Sequence, residues 1–270
     1  MYYYIVDPQK ISQKNFERVQ NVLYSSLSEY KISGEVVRVT GLRTIQQLVE
    51  NAFSHEAKTI VAVGNDQTLH EVINAVGKRE MVLGYIPLAS SEIGEILGIK
   101  EVPLAAKIIA FRRVEVLDLG SVNNNYFLSK LKLGDWDTDK FLPNLEKTFE
   151  IKLRVDDQYQ ADLKVSAVLV VNSRNSANEE RVAYPNDGKL DILLLPQLTK
   201  WETLTNRKNI LSGHFEKIAQ CSVIHAKKIE ILSPSGINLR ADNWLLAKTP
   251  AVIEVLPQSL KIIVGRERKF

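Results

Sequence analysis

The sequence predicts an α/β chain in two parts: an N-terminal domain built on a parallel sheet (residues 1–117) and a C-terminal antiparallel β-sandwich (residues 118–270). Three observations predict it. In the first part, short apolar runs alternate with stretches whose apolar residues recur at helical spacing, the pattern of a parallel sheet covered on both faces. Beyond Val114, β-rich runs separated by turn residues take over, the pattern of an antiparallel sandwich or barrel. The chain of 270 residues, 45% hydrophobic and 25% charged, is long enough to bury two cores and has an ordinary globular composition.

The elements follow in order. Tyr2 to Val6 is an apolar strand ending at Asp7-Pro8, and Ser12 is placed to cap a helix with Phe16, Val19, Leu23 and Leu27 on one face. Glu35 to Thr40 reads as a second strand, closed by Gly41. Ile45, Leu48, Val49, Ala52 and Phe53 mark the next helix, and Thr59 to Val63 a fully apolar strand. Leu69, Val72, Ile73 and Val76 mark a helix ended by Gly77, before a strand from Val82 to Ile86 stopped by Pro87. The β-rich part reads as Val114–Leu119, Tyr126–Leu133, Phe149–Val155, Leu163–Val171, Leu190–Leu195, Lys228–Leu232, Ile237–Arg240 and Leu260–Val264, with one helix from about Lys200 to Leu211. An α/β half followed by a β half places the expected site in the interdomain cleft.

Composition removes several classes of function. A net charge of +3 and a pI near 8.8 are too mild for a nucleic-acid binder, yet they permit weak peripheral contact with anionic membrane surfaces. Cys221 is the single cysteine, so no internal disulfide is possible. The N-terminus lacks a basic start followed by an apolar run, and no apolar run is long enough to span a bilayer; the expected location is the cytoplasm. His55, His70, His214 and His225 show no metal-ligand spacing. No Gly-x-Ser-x-Gly or Gly-Lys-Ser/Thr motif is present, which argues against an esterase or a P-loop enzyme. The tail Gly265-Arg266-Glu267-Arg268-Lys269 reads as solvated.

The most informative stretch is Val63-Gly64-Asn65-Asp66-Gln67-Thr68, which leads from an apolar strand into an amphipathic helix. Such a turn sets backbone N–H groups and a helix N-terminus beside any bound anion. On these residues alone, an ordinary strand-to-helix turn accounts for the pattern equally well.

Gly64-Asn65-Asp66-Gln67-Thr68, with Glu71-Val72 and Asn74 after it, resembles the Gly-Gly-Asp-Gly-Thr nucleotide loop of diacylglycerol kinases, sphingosine kinases and related bacterial lipid kinases. Further matches come in the family's order: Pro87-Leu88-Ala89-Ser90, Asp118-Leu119-Gly120, Tyr126-Phe127-Leu128, Asp187-Gly188-Lys189-Leu190-Asp191, and Asp242 at the start of a late Asp-Gly-Glu motif. The resemblance implies ATP as phosphoryl donor, a lipid hydroxyl as acceptor, Mg2+ to balance charge and an acidic general base. It assigns nucleotide contact to Thr40, Gly64, Asn65, Asp66, Gln67, Thr68 and Ser90. It also implies a structural Mg2+ held by Asp187 and the carbonyls of Tyr184 and Lys189, although a turn held by Asn186-Asp187-Gly188 explains that stretch as well.

The departures from the family pattern are chemical. Asn65 and Gln67 replace glycines, and of the two only Asn tolerates a left-handed backbone readily. Ala89 replaces another glycine, and Glu92 stands at an asparagine position, where its carboxylate would repel triphosphate. In Ala241-Asp242-Asn243-Trp244, Trp244 occupies the position of the general-base glutamate, and an indole has no basic site. Asp242 is the remaining acidic candidate for catalysis. Two readings follow: an active lipid kinase with a divergent site, or a non-catalytic nucleotide- or lipid-binding regulator, a pseudokinase. The joint departure of Gln67, Glu92 and Trp244 favours the second.

Overall fold

A computed structural model of the chain describes residues 1–8, 13–100, 102–137, 142–173, 184–241 and 244–270. They form two compact units: one of described residues up to 118 together with 258–270, the other of described residues from 119 to 257.

The first unit is built on parallel strands β1 (Tyr2–Val6), β2 (Gly34–Arg38), β3 (Thr59–Gly64) and β4 (Val82–Pro87), with the end of β16 (Ala251–Ile263) running parallel to β4 through Lys261 and Ile262. The spatial order is β2-β1-β3-β4-β16. β3 is buried along its whole length and β4 along all but its first residue, as a sheet covered on both faces requires.

The covering helices are α1 (Gln13–Glu29), α2 (Ile45–Ser54), α3 (Asp66–Val76), α4 (Glu92–Leu97) and α5 (Val102–Phe111). α1 packs beside α5 and α2 beside α3. Ile45, Leu48, Val49 and Ala52 form the buried stripe of α2, whose first turn is closed by a reciprocal Thr44–Gln47 capping box. The chain leaves β1 toward β2 and later returns past β1 to β3, so the order reverses between β1 and β3. Such a reversal point opens a crevice at the carboxyl ends of the strands.

In the second unit, β7 (Lys130–Gly134), β10 (Ala167–Val171), β11 (Leu190–Leu195), β12 (Ser222–Ala226), β14 (Asn238–Ala241) and β15 (Trp244–Lys248) form one antiparallel sheet in the order β12-β11-β10-β7-β14-β15. β8 (Phe149–Val155), β9 (Tyr159–Val165), β13 (Lys228–Ser233) and the start of β16 form a second antiparallel set. β5 (Val114–Val122) pairs with β16 and β6 (Asn125–Phe127). Inward residues from both sets, among them Leu131, Leu153, Val168, Val170, Ile192, Ile229 and Ile253, share one core. The alternate residues of β10 and β11, such as Leu169, Val171, Leu193 and Leu195, enter a second core with Ile210, Phe215 and Ile218. Both faces of these strands are thus covered, which is why they read as unbroken apolar runs.

Several elements differ from the sequence expectations. The run Leu163–Val171 is two strands broken at Ser166, and Tyr126–Leu133 is two strands broken at Leu128-Ser129; apolar residues continue across the corners and hide the change of direction. The second strand ends at Arg38, and Thr40 belongs to the following turn. The helix expected at 200–211 is α6 (Lys200–Thr205) followed by α7 (Arg207–Leu211). α4, α5, β12 and β15 were not anticipated. Ser12 and the side chain of Phe16 lie outside the described residues. Among the described residues no helix is long and apolar enough to cross a membrane.

Candidate functional site

The carboxyl ends of β1, β3 and β4 bring together Asp7, the turn Gly64–Thr68, and Ser90-Ser91. The turn is compact. Asn65 is the N-cap of α3 with extended backbone (φ −106°), and its side-chain oxygen accepts the Thr68 amide at 3.0 Å. The Asn65 amide donates back to Thr68 Oγ1 at 3.3 Å, which completes a capping box. Thr68 is fully buried, and its hydroxyl donates to buried Asp7 Oδ2 at 3.1 Å, across the β1/β3 reversal. Gly64 is required sterically: a Cβ there would lie 2.3 Å from Thr68 Oγ1.

Asp66 faces the other way along the sheet. Its Oδ1 accepts the Tyr85 hydroxyl at 2.9 Å and the Ser91 hydroxyl, and its Oδ2 accepts the amides of Glu92 at 3.0 Å and Ile93 at 3.3 Å. Ser91 in turn caps α4, accepting the Gly94 amide at 2.6 Å. The N-terminal amides of α4 are therefore satisfied by two side chains of the protein.

The expected nucleotide residues Gly64, Asn65, Asp66, Gln67 and Thr68 are contiguous here, with Ser90 adjoining through Ser91. The structure corrects the expected strain at the substituted glycines. Asn65 is extended and Gln67 lies in the first turn of α3, so neither position uses a positive φ. Gln67 instead extends along its own helix and donates to Glu71 Oε1 at 2.9 Å. Ser90 and Ala89 are exposed; the buried hydroxyl is one residue on, at Ser91. Thr40 stands at the same end of the sheet beyond β2, and its hydroxyl accepts the amides of Leu42 at 3.3 Å and Arg43 at 3.1 Å.

The expected metal residues sit in the second unit. Asp187 is exposed; its Oδ1 accepts the Lys189 amide at 2.9 Å, and its own amide approaches the Tyr184 carbonyl at 3.4 Å. The segment is a turn folded on its own side chain, with Gly188 at φ +70°. One carboxylate already engaged by a backbone amide is a poor fit to a dehydrated hard cation. Among the described residues no group of three or more His, Cys, Asp or Glu side chains is disposed to hold a metal. Asp242 lies outside the described residues. Trp244 begins β15 and packs against the larger core of the second unit.

Sequence reasoning missed Asp7, Tyr85 and Ser91. Asp7 had a signal: an acidic residue directly after an apolar strand, next to proline. Tyr85 had one too, as a tyrosine within an otherwise apolar buried strand, because a buried phenol needs a partner for its hydroxyl.

The chain as a whole has relatives among known proteins. Residues 2–122 match the diacylglycerol kinase catalytic domain, and residues 144–264 match the YegS C-terminal NAD kinase β sandwich-like domain. A diacylglycerol kinase of Staphylococcus epidermidis is 24% identical over 273 residues, covering 88% of this chain and 83% of that protein. The crystal structure of a diacylglycerol kinase from Bacillus anthracis superposes with a TM-score of 0.79 at 20% identity, covering 98% of this chain and 97% of the other. An NAD kinase from Archaeoglobus fulgidus, solved in complex with ATP, shares the fold at a TM-score of 0.60 and 16% identity, covering 100% and 96%.

Proposed function

The chain belongs to the diacylglycerol kinase family of lipid kinases, and from that premise we propose that it keeps the family's fold while ATP-dependent phosphorylation of a lipid hydroxyl is weak or lost. One observation carries the reading. One amide at the N-terminus of α3 and three at that of α4, groups of the kind with which helix N-termini hold phosphate, are engaged by the protein's own side chains: Asn65 takes the Thr68 amide on α3, and Asp66 with Ser91 takes those of Glu92, Ile93 and Gly94 on α4. A triphosphate that used these four amides would have to displace the contacts and approach the Asp66 and Glu92 carboxylates, an arrangement that fits it poorly. ATP with Mg2+ remains the donor that membership implies, bound weakly.

Trp244 adds to this. An indole cannot accept the acceptor's proton, and loss of a general base removes about two to four orders of magnitude of rate. The role left is that of a regulator that binds nucleotide or lipid without turnover.

The test is transfer of labelled phosphate from ATP, with Mg2+, to diacylglycerol and a panel of related lipid alcohols. The expected result is no product above background; turnover at a rate ordinary for a kinase, roughly 1 per second or faster, overturns the proposal. The same assay decides for a second reading, an active kinase with a divergent loop. That reading is favoured by the unstrained backbone at Asn65 and Gln67.

A further inference from the structure

The segment of α6 and α7 is amphipathic with its polarity reversed. Its half-buried side presents Glu202, Asn206 and Asn209, and Ile210 alone enters a core. Its exposed side carries Trp201 at 72% exposure, Leu204 at 60% and Leu211 at 59%. Residues 201 and 204 are three apart within α6, and the backbone bonds from Asn206 N–H to the Glu202 carbonyl and from Ile210 N–H to the Asn206 carbonyl join the two helices through Asn206. No residue of α6 is buried. A helix normally turns its apolar stripe inward, so folding does not account for three large apolar side chains on the water side.

The charges on that surface have one sign. Lys200, Arg207 and Lys208 are exposed, and none takes part in an ion pair among the described residues. The acidic residue of the segment, Glu202, is turned back to Thr199 and Gln220, which donate to it at 2.8 Å.

We propose that the α6–α7 segment docks on an anionic lipid surface, with Trp201, Leu204 and Leu211 entering the interface and the three cations meeting phosphate headgroups. Tryptophan and leucine flanked by lysine and arginine are the composition of an interfacial helix, and tryptophan settles at headgroup depth because one edge of its ring is polar. The long stems of Lys and Arg let their charges stay in water while the apolar side chains sink. A single-sign cationic rim matches an anionic bilayer more closely than a mixed-charge protein surface does. The proposal stands apart from phosphoryl transfer and holds whether or not the chain turns over ATP.

The test is co-sedimentation of the full chain with vesicles of phosphatidylglycerol and phosphatidylcholine in equal parts, and with vesicles of phosphatidylcholine alone. Binding to the mixed vesicles is expected, reversed in about 1 M salt, where screening is nearly complete, and much weaker on the neutral ones. Trp201→Ser with Leu204→Ser lowers the partition coefficient by about tenfold or more, and Arg207→Glu with Lys208→Glu lowers it by at least about fivefold per cation. All four positions are exposed, so the thermal midpoint should be unmoved. No binding of the parent chain to anionic vesicles overturns the proposal, as does equal binding by the variants. Self-association in sedimentation velocity, abolished by the same variants and without vesicle binding, overturns it in favour of a contact between copies.

Discussion

The Asp66 carboxylate accepts the Glu92 amide at 3.0 Å, tying the turn after β3 to the first turn of α4. With Tyr85, Ser91 and Ile93 on the same carboxylate, one side chain serves two hydroxyls and two amides. The residue that the family pattern offers as a nucleotide contact is here a bracket between neighbouring loops.

Its removal should therefore be felt in stability. Asp66→Ala leaves four donors to find water, and is expected to cost about 2–3 kcal/mol. Asp66→Asn keeps an acceptor oxygen and should cost less, about 1 kcal/mol. Thermal or urea unfolding of both variants checks this, and a change under about 0.5 kcal/mol for Asp66→Ala, the scale of an ordinary surface substitution, would show that the bracket carries no weight.

Asn65 separates stability from ligand binding. Asn65→Ala removes an N-cap and should cost about 1 kcal/mol, whereas Asn65→Gly costs only a few tenths. Asn65→Gly also returns the Thr68 amide to an incoming anion, so ATP should bind it more tightly than the parent chain. Calorimetry of both proteins with ATP and Mg2+ decides; equal affinity would mean that the cap is not the obstacle.

The parallel half of the fold was legible because its strands are buried on both faces and its helices on one, so period and apolarity agree. Leu48, Val49 and Ala52 mark α2 as plainly in sequence as in space. α4 was hidden because it has only six residues, too few for a period to show. α5 was hidden because Val102-Pro103-Leu104-Ala105-Ala106 is apolar nearly all round. In the site, Gly64, Asp66 and Thr68 were found through the order of motifs, while the roles of Asp66 and Ser91 depend on α4, whose N-terminus lies 26 residues away in sequence. The expected penalty at Gln67 came from assuming a left-handed loop; the capping box places that residue inside a helix instead.

Cys221 offers a chemical probe of the smaller core of the second unit. Burial, with the Glu216 charge adding, pushes its thiol up to about 12. Because the thiolate is the reactive form, a thiol held near 12 carries more than a thousandfold less thiolate than a free cysteine of pKa about 8.5 at any pH well below both values. Disulfide-exchange labelling at mild alkaline pH should be slow in the native protein and fast in denaturant. Rapid native labelling would contradict the packing of Cys221 against the smaller core beside Ile218.

The cap of α6 predicts a pH dependence. The Thr199 amide and hydroxyl hold the Glu202 carboxylate below its usual range, and Gln220 adds to this. A carboxylate with a lowered folded-state pKa stabilises above its unfolded value, about 4.3 for glutamate, and that stability is lost as pH falls through the folded-state value. Hydrogen exchange at the Thr203 and Asn206 amides should thus show local opening of α6 below about pH 4, after correction for the intrinsic pH dependence of exchange. Glu202→Gln keeps an acceptor oxygen for the Thr199 amide, as Gln47 does on α2, but has no charge to lose, so its protection should not change over that pH range. Protection unchanged across that range in the parent chain would remove Glu202 from the account of this helix.

Trp244→Glu restores the residue type that a general base needs, and we expect that it does not by itself restore phosphoryl transfer. The base acts only when donor and acceptor are in line, and the amides that would hold the donor's phosphates are engaged by Asn65, Asp66 and Ser91. The substitution also exchanges an indole packed on the larger core of the second unit for a carboxylate, so each variant is first compared with the parent by thermal unfolding. The informative partner is Asn65→Gly with Ala89→Gly and Glu92→Asn, which opens the α3 amide and removes a carboxylate. Gln67 is left in place, because glycine within a helix costs about 1 kcal/mol and the backbone at that position is already relaxed. Joined to Trp244→Glu, the loop changes should give more activity than the two sets give when added separately, since groups that act as a unit are not additive. Labelled-phosphate transfer by the single variant, the loop variant and their combination is the measurement. Strong activity from Trp244→Glu alone would show that the loop accepts ATP as it stands, and the capped helix ends would no longer explain weak turnover.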